Sequence, residues 1–299
     1  MRKSASVPVR YSQLKAFHNV ALTGGFSRAA DALRLTQPAI SEQVRRLEQD
    51  HDVLLFHRER KRVRLTEAGE RLFHLTRQFF EVEQQIEEFM SESGAAMDGT
   101  LRIIADSAHH VTDLLGRFRA RYPDVTISLR SGNTAEVVEQ LRSYEAEIGV
   151  VGGLPPGRDM EVIALASTEI TAFAARDLLP QQASLTLNDL TQHPLIFREA
   201  GSKTRQKLEE QAAARNVRLT PVITAEGREA VREVVASGAG IGFVSQAEYV
   251  EDARLRQIPL CDVHAEMSEA IVHLAQRRDV RVIRAFMDVA REVHGPQER

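Results

Sequence analysis

Residues 14 to 69 constrain this chain most, because their apolar spacing and breakers define a tight series of short helices. Leu14, Phe17 and Val20 give one apolar helix face, Gly24-Gly25 breaks that helix, and Phe26-Ser27-Arg28-Ala29-Ala30-Asp31-Ala32-Leu33 begins another with Ser27 as its N-cap. The small Ala29, Ala30 and Ala32 allow close helix approach. The turn Arg34-Leu35-Thr36 leads into a third helix over Gln37 to Glu48, capped by Thr36, with Pro38 in a first turn where a missing N–H costs little. Ile40, Val44 and Leu47 face inward at helical spacing, so Gln37, Ser41, Glu42 and Arg45 face outward. This is the geometry of a helix-turn-helix whose third helix enters a major groove.

Between Val53 and Leu65 the pattern changes to two short apolar runs around His57-Arg58-Glu59-Arg60-Lys61-Arg62, which reads as a β-hairpin with a basic tip, a wing. Such a tip lies along phosphates or enters a minor groove. The expected DNA contacts are Ser27, Arg28, Thr36, Gln37, Pro38, Ser41, Glu42, Arg45, Arg58, Arg60, Lys61 and Arg62. Charge is distributed accordingly. Residues 1 to 66 hold thirteen Lys and Arg against six Asp and Glu, a net of +7, whereas the rest holds twenty-six against thirty-six, a net of −10. A basic head on an acidic body suits a chain in which one domain binds nucleic acid.

The ordered submotifs Phe26-Ser27-x-Ala29-Ala30, Gln37-Pro38-Ala39-x-Ser41-x-Gln43-Val44, Leu47-Glu48, Leu55-Phe56-x-Arg58 and Leu65-Thr66-x-Ala68-Gly69 resemble those of LysR-type transcriptional regulators. His51-Asp52 departs from the more usual residue followed by Gly, and Asp tolerates a left-handed helix exit. After Gly69 a long helix runs to about Ser91, with Ala68, Leu72, Leu75, Phe79, Val82, Ile86 and Phe89 alternating steps of four and three. This heptad seam predicts a partner helix. The resemblance implies that partner is a second copy, giving a homodimer, or a tetramer of two dimers, on double-stranded promoter DNA.

The stretch 91 to 100 reads as a hinge, after which short strands and helices alternate to the end of the chain. The alternation predicts a mostly parallel sheet flanked by helices, in two lobes with a crevice. The expected organisation is α/β with an all-helical winged helix-turn-helix head over 10–66, a linker and dimerisation helix over 67–93 and an effector-binding domain over 100–295. The resemblance implies a type 2 periplasmic-binding-protein-like fold for the last, with lobe 1 at about 100–164 and 268–295 and lobe 2 at about 165–267. Candidate effector residues lie at strand ends and helix starts: Asp106-Ser107, Asn133-Thr134, Gly201-Ser202-Lys203-Thr204-Arg205 and Glu226. The Gly201 to Arg205 segment can form an anion site from helix N–H groups, hydroxyls and cations, or be an ordinary capped helix. Arg119-x-Arg121-Tyr122-Pro123, Ser131-Gly132-Asn133, Arg198-Glu199-x-Gly201-Ser202-x-Thr204-Arg205 and Arg228-Glu229-Ala230-Val231-Arg232-Glu233 also resemble the subgroup associated with aminoethylphosphonate catabolism, which implies a zwitterionic effector such as 2-aminoethylphosphonate.

Several classes are set aside. Gly238-Ala239-Gly240-Ile241-Gly242 precedes a strand instead of opening a helix, so it reads as a tight turn and not a phosphate loop. His109-His110 are adjacent and complete no local coordination shell, so a pocket-edge or surface place is expected for them, with no metal and no cofactor. The single Cys261 has no internal disulfide partner and is expected to be buried. Neither a membrane span nor a signal peptide is visible, and a cytoplasmic location is expected. No nucleophile and base pair emerges, so a ligand-responsive regulator is favoured over an enzyme or solute-binding protein with a DNA-binding appendage.

Overall fold

The computed structural model describes residues 8–58, 63–90, 97–153, 158–179 and 183–294. They divide into two compact units, Met1–Ser93 and Gly94–Arg299. The first contains α1 (Tyr11–Thr23), α2 (Phe26–Leu33), α3 (Gln37–Asp50), β1 (Phe56–Arg58), β2 (Val63–Leu65) and α4 (Glu67–Met90). Gly24, at φ 67°, closes α1, and Arg34, at φ 54°, closes α2 with its N–H on the carbonyls of Ala30 and Asp31. Thr36 accepts from the Ala39 N–H at 3.4 Å and caps α3. The expected cap of α2 is corrected: Gly25 occupies that position, and Ser27 lies exposed in the first turn without a capping bond. The helix starts earlier because Phe26 packs edge-on against Phe56, at 5.7 Å between ring centroids.

Phe17, Val20, Ala29, Ala30, Ile40, Val44, Leu47, Leu55 and Phe56 form the core of this unit. Each large side chain removed from water contributes about 1.5–3 kcal/mol, enough in sum to hold three short helices. Asp52, at φ 49°, makes the left-handed exit expected of it. The hairpin is then locked by side chains that satisfy backbone groups. Glu48 accepts from the N–H groups of Leu55 and Phe56 at 2.7 and 3.2 Å. Thr66 donates to the Leu54 carbonyl at 2.6 Å and accepts from the Gly69 N–H at 3.0 Å. A Cβ on Gly69 would stand 2.2 Å from the Leu55 carbonyl oxygen, so only glycine lets α4 start against the wing.

α4 carries two apolar faces. One packs on α1, where the His18 Nδ1 lies 3.0 Å from Thr76 Oγ1 and the imidazole sits between Phe73 and Phe80. Burial, aided by the Arg77 charge, pushes the His18 pKa down to about 4. The expected seam divides: Ala68 and Leu72 pack onto their own head, while Leu75, Phe79, Val82 and Ile86 are exposed. The Phe89 side chain lies outside the described residues.

The second unit contains β3 (Gly99–Ala105), α5 (Thr112–Arg121), β4 (Val125–Ser131), α6 (Thr134–Arg142), β5 (Ile148–Gly152), β6 (Met160–Ala175), α7 (Leu187–Leu190), β7 (Leu195–Arg198), α8 (Lys203–Ala214), β8 (Pro221–Ala225), α9 (Arg228–Ala236), β9 (Gly242–Ser245), β10 (Leu255–Ile258), β11 (Glu266–Leu274) and α10 (Arg281–His294). Its main sheet has the order β10-β6-β11-β5-β3-β4, with β9 also on β6. β3 runs parallel to β4 and β5, but β11 is antiparallel to β5 and β6, and β9 and β10 are antiparallel to β6. The sheet is thus mixed rather than mostly parallel. The reason is that β6, 16 residues long, passes from one lobe to the other and β11 returns directly beside it.

One lobe closes around Leu101, Ile103, Leu114, Phe118, Ile148 and Phe286, the other around Ile170, Leu185, Leu195, Phe197, Leu208 and Ile241. Gly240 has the close-packing role expected of its glycine run, since a Cβ there would stand 2.3 Å from the Pro194 carbonyl oxygen. Cys261 differs from expectation in being exposed, its thiol 3.5 Å from the Leu185 carbonyl oxygen. No helix among the described residues is long and apolar enough to cross a membrane.

Candidate functional site

On the head, α3 buries Ile40, Val44 and Leu47 and leaves Gln37, Pro38, Ser41 and Arg45 exposed together with Thr36 before it. Glu42 holds Arg45 at 2.8 Å and Arg46 at 2.6 Å, and these hydrogen bonds bring its carboxyl down to about 2. Arg45 also donates to Gln49 at 3.0 Å. Arg28, exposed on α2, donates to the Gly24 carbonyl at 2.7 Å. β1 and β2 pair Phe56 with Leu65 and Arg58 with Val63. The Arg58 side chain and the whole of Arg60, Lys61 and Arg62 fall outside the described residues.

In the second unit, the starts of α6 and α8 approach each other across the crevice. Asn133 caps α6 by accepting from Ala135 and Glu136, and a Cβ on Gly201 would come within 2.8 Å of its Oδ1. Ser202 caps α8 and is 1% exposed. Thr204 is buried, and Thr134 holds Gly152 through its hydroxyl at 3.2 Å. The expected free cations at this helix start are engaged. Lys203 donates to Gln206, and Arg205 donates to Glu209 and to the Arg198 carbonyl while lying over the Phe197 ring. Glu226 is exposed.

The charges that fill the crevice are others. Asp106, at the end of β3, receives Arg198 from the end of β7 at 2.6 Å and Arg228 from the start of α9 at 3.4 Å. Arg198 also meets Glu199 at 2.7 Å, and the Glu199 carboxylate accepts from the Gly227 N–H at 3.0 Å. Burial works against the Arg198 charge, but Asp106 and Glu199 together more than reverse it and its pKa is raised. Arg228 also meets Glu248; burial dominates there and lowers its pKa despite the pull of Asp106.

Beside this cluster opens a cavity of about 130 Å³ with Ser107 and His109 on one side and Arg228, Arg232 and Glu248 on the other. Phe173, Val244, Tyr249 and Leu255 supply apolar walls. Of the expected effector residues, Ser107 lines this cavity, whereas Asp106, Asn133, Thr134 and the Gly201 to Arg205 turn build the adjoining crevice and Glu226 lines neither. Arg228 and Arg232 are the residues that sequence reasoning missed as cavity cations. Their i, i+4 spacing on a helix start was the available signal. His109 lines the cavity, and His110 beside it is half-buried against Glu248 and Glu269.

Residues 11–70 match the model of the bacterial regulatory helix-turn-helix protein, lysR family, and residues 94–295 match the LysR substrate binding domain. The chain belongs to the LysR family. It is similar to the HTH-type transcriptional activator CmpR of Synechocystis, 30% identical over 78% of each chain, and to the RuBisCO operon transcriptional regulator of Allochromatium vinosum, 30% identical over 92% of each. A full-length OxyR variant from Pseudomonas aeruginosa shares the fold at a TM-score of 0.75, with 21% identity over 98% of this chain and 99% of that one. The protein is therefore a LysR-type transcriptional regulator with a helix-turn-helix head and an effector-type domain, and its named relatives are regulators rather than enzymes.

Proposed function

We propose that this regulator binds promoter DNA as a homodimer, or as a tetramer of two dimers, and changes its grip on that DNA when a small anionic metabolite occupies the cavity beside Arg228 and Arg232. The observation that carries the effector reading is the placement of two guanidinium groups one helical turn apart on the wall of a cavity with apolar walls of Phe173, Val244 and Leu255, with the Arg232 Nε buried and without a hydrogen-bond partner. A carboxylate or phosphonate supplies the acceptors such groups need. Expected supporting residues are Ser107 in the cavity, and Asp106, Asn133, Thr134, Ser202 and Thr204 in the crevice walls that hold the two lobes together. A ligand that prefers one lobe arrangement shifts the population toward it, and the heads move on the DNA accordingly.

2-Aminoethylphosphonate is the specific candidate raised by the segment resemblance. The two-signed lining, Arg228 and Arg232 beside Glu229 and Glu248, supports a zwitterion. The relatives named above carry other names, including that of a RuBisCO operon regulator, so the ligand class is broader than one compound. Calorimetry of 2-aminoethylphosphonate, phosphate, sulfate and small aliphatic and aromatic carboxylates should show at least one anion binding the wild type. Arg232→Ala should lose about tenfold or more of that affinity, as expected for a charge-assisted bond worth about 1.5–3 kcal/mol. No binding by any of them, or equal binding by the variant, counts against the site.

On the DNA side, Gln37, Ser41 and Arg45 are the base-reading set and the wing supplies electrostatic affinity. Arg45→Ala should weaken binding to the cognate site about ten- to a hundredfold and relax base preference. Lys61→Ala should weaken binding to all sequences and flatten the salt dependence. Equal losses on cognate and random DNA for Arg45→Ala would remove it from base readout, as measured by gel shift at two salt concentrations.

A further inference from the structure

Glu269 is a buried charge that the crevice ion pairs leave unanswered. It lies on β11, is 1% exposed, and neither of its carboxylate oxygens accepts a hydrogen bond. Glu248, in the turn after β9, is 7% exposed and keeps Oε2 equally free while Oε1 meets Arg228. A buried carboxylate left without donors is among the costliest groups a fold can carry, so these free oxygens call for a cation or a proton. Burial raises the Glu269 pKa against the opposing pull of Arg228 and His110.

The third group is His110, in the turn after β3. Its Nε2 lies 3.2 Å from Glu248 Oε1 and 3.9 Å from Glu269 Oε2, and the three residues offer donor atoms within 4.8 Å of one another. Nitrogen and oxygen donors held tetrahedrally at about 2.1 Å from one ion stand roughly 3.4 Å apart, and the two His110 edges lie near that spacing. Burial lowers the His110 pKa against the opposing pull of Glu269. The charges agree. With Glu269 ionised, as a bound cation would make it, Asp106, Glu199, Glu248 and Glu269 set four carboxylates against the guanidinium groups of Arg198 and Arg228, leaving two negative charges for one divalent cation to cancel. Lys207 acts on Glu269 from outside the cluster, with its ammonium bonded to the Glu266 carbonyl.

We infer that His110, Glu248 and Glu269 form a binding site for one divalent transition-metal ion of the zinc class. One imidazole with two carboxylates suits Zn²⁺, Co²⁺ or Ni²⁺ better than Mg²⁺ or Ca²⁺, which take oxygen shells, or Cu(I), which takes sulfur. Water completes the shell. Arg228 meets the same Glu248 oxygen, Oε1, that faces His110, and orients that carboxylate. The ligands come from the β3 turn of one lobe, the β9 turn of the other and a strand that crosses between them, so the ion ties the lobes in one arrangement. The site shares Glu248 and Arg228 with the wall of the effector cavity, and its test is run without the anion proposed there.

The experiment is titration of chelator-treated full-length protein with Co²⁺ and Zn²⁺, read by elemental stoichiometry, by the visible absorption of four-coordinate Co²⁺ and by melting temperature. One ion per chain, the Co²⁺ band and a Tm raised by several degrees are expected, because binding to the folded state alone stabilises it. Glu269→Gln and His110→Ala should each abolish the band, and Cys261→Ser, which removes the exposed thiol, should keep it. Less than one ion per wild-type chain overturns the site. So does a band that survives in His110→Ala or Glu269→Gln, or one lost with Cys261. A raised Tm in Glu269→Gln with no response of the wild type to either ion would show that Glu269 is answered by a proton, and also overturns it. The stoichiometry and the band are read on the native chain, so misfolding of one variant does not blunt the test.

Discussion

Replacing Asp106 by Ala should destabilise the second unit by about 3–5 kcal/mol, the cost of removing one partner from a buried ion pair. Its side chain is fully buried, and it receives Arg198 at 2.6 Å and Arg228 at 3.4 Å, both from the opposite lobe. Alanine would leave Arg198 to Glu199 alone and strip Arg228 of one of its two carboxylates. The loss should show as a separate, lowered transition in thermal unfolding, with the head unchanged. Asp106→Asn keeps the shape and an acceptor, so it should lose less. The pair Asp106→Leu with Arg198→Met should recover much of the loss, because well-packed apolar replacements can match a buried ion pair. A drop below about 1 kcal/mol for Asp106→Ala would mean that water reaches Arg198 and that the crevice is not held shut by this contact.

The same residue marks the boundary of what the sequence discloses. Asp106 was legible as a strand-end candidate, since function in such a fold gathers at strand ends. Its partners were not, because Arg198 and Arg228 lie 92 and 122 positions away and only the fold selects them. The head was more legible: Thr36, Pro38, the glycine pair and the Ile40, Val44, Leu47 face are local signals, and local signals survive without tertiary knowledge. Even there Ser27 was misplaced by two residues, because the packing of Phe26 against Phe56 outweighed the preference for a hydroxyl at the cap. The strand alternation predicted the parallel pairs around β3, but the length of β6 and the return of β11 beside it made the rest antiparallel. His110 shows no coordinating partner among its immediate neighbours in the chain, whereas Glu248, which it meets, is 138 residues downstream.

Leu75→Glu should convert the proposed dimer into monomers and weaken operator binding by about two to four orders of magnitude, since each head then loses the effective concentration supplied by its linked partner. Leu75, Phe79, Val82, Ile86 and Met90 are 58%, 46%, 53%, 57% and 71% exposed along one face of α4, at steps of four, three, four and four. A row of that size left to water on a 24-residue helix fits the seam of the proposed helix pair, and at 1.5 Å per residue it extends over about 23 Å. The other face of α4 is already used by His18, Phe73 and Phe80, so the head does not need Leu75 to fold. This separates the two ways a variant can lose DNA binding. Unchanged thermal unfolding of the head, together with a halved sedimentation mass, would place the loss in assembly. An intact dimer in Leu75→Glu would move the interface to another surface and leave the exposed row without its partner. Phe79→Glu, one helical turn on, should also yield monomers if the seam is continuous, with a small added loss of head stability because the Phe79 ring meets Tyr11 of α1 at 6.4 Å between centroids.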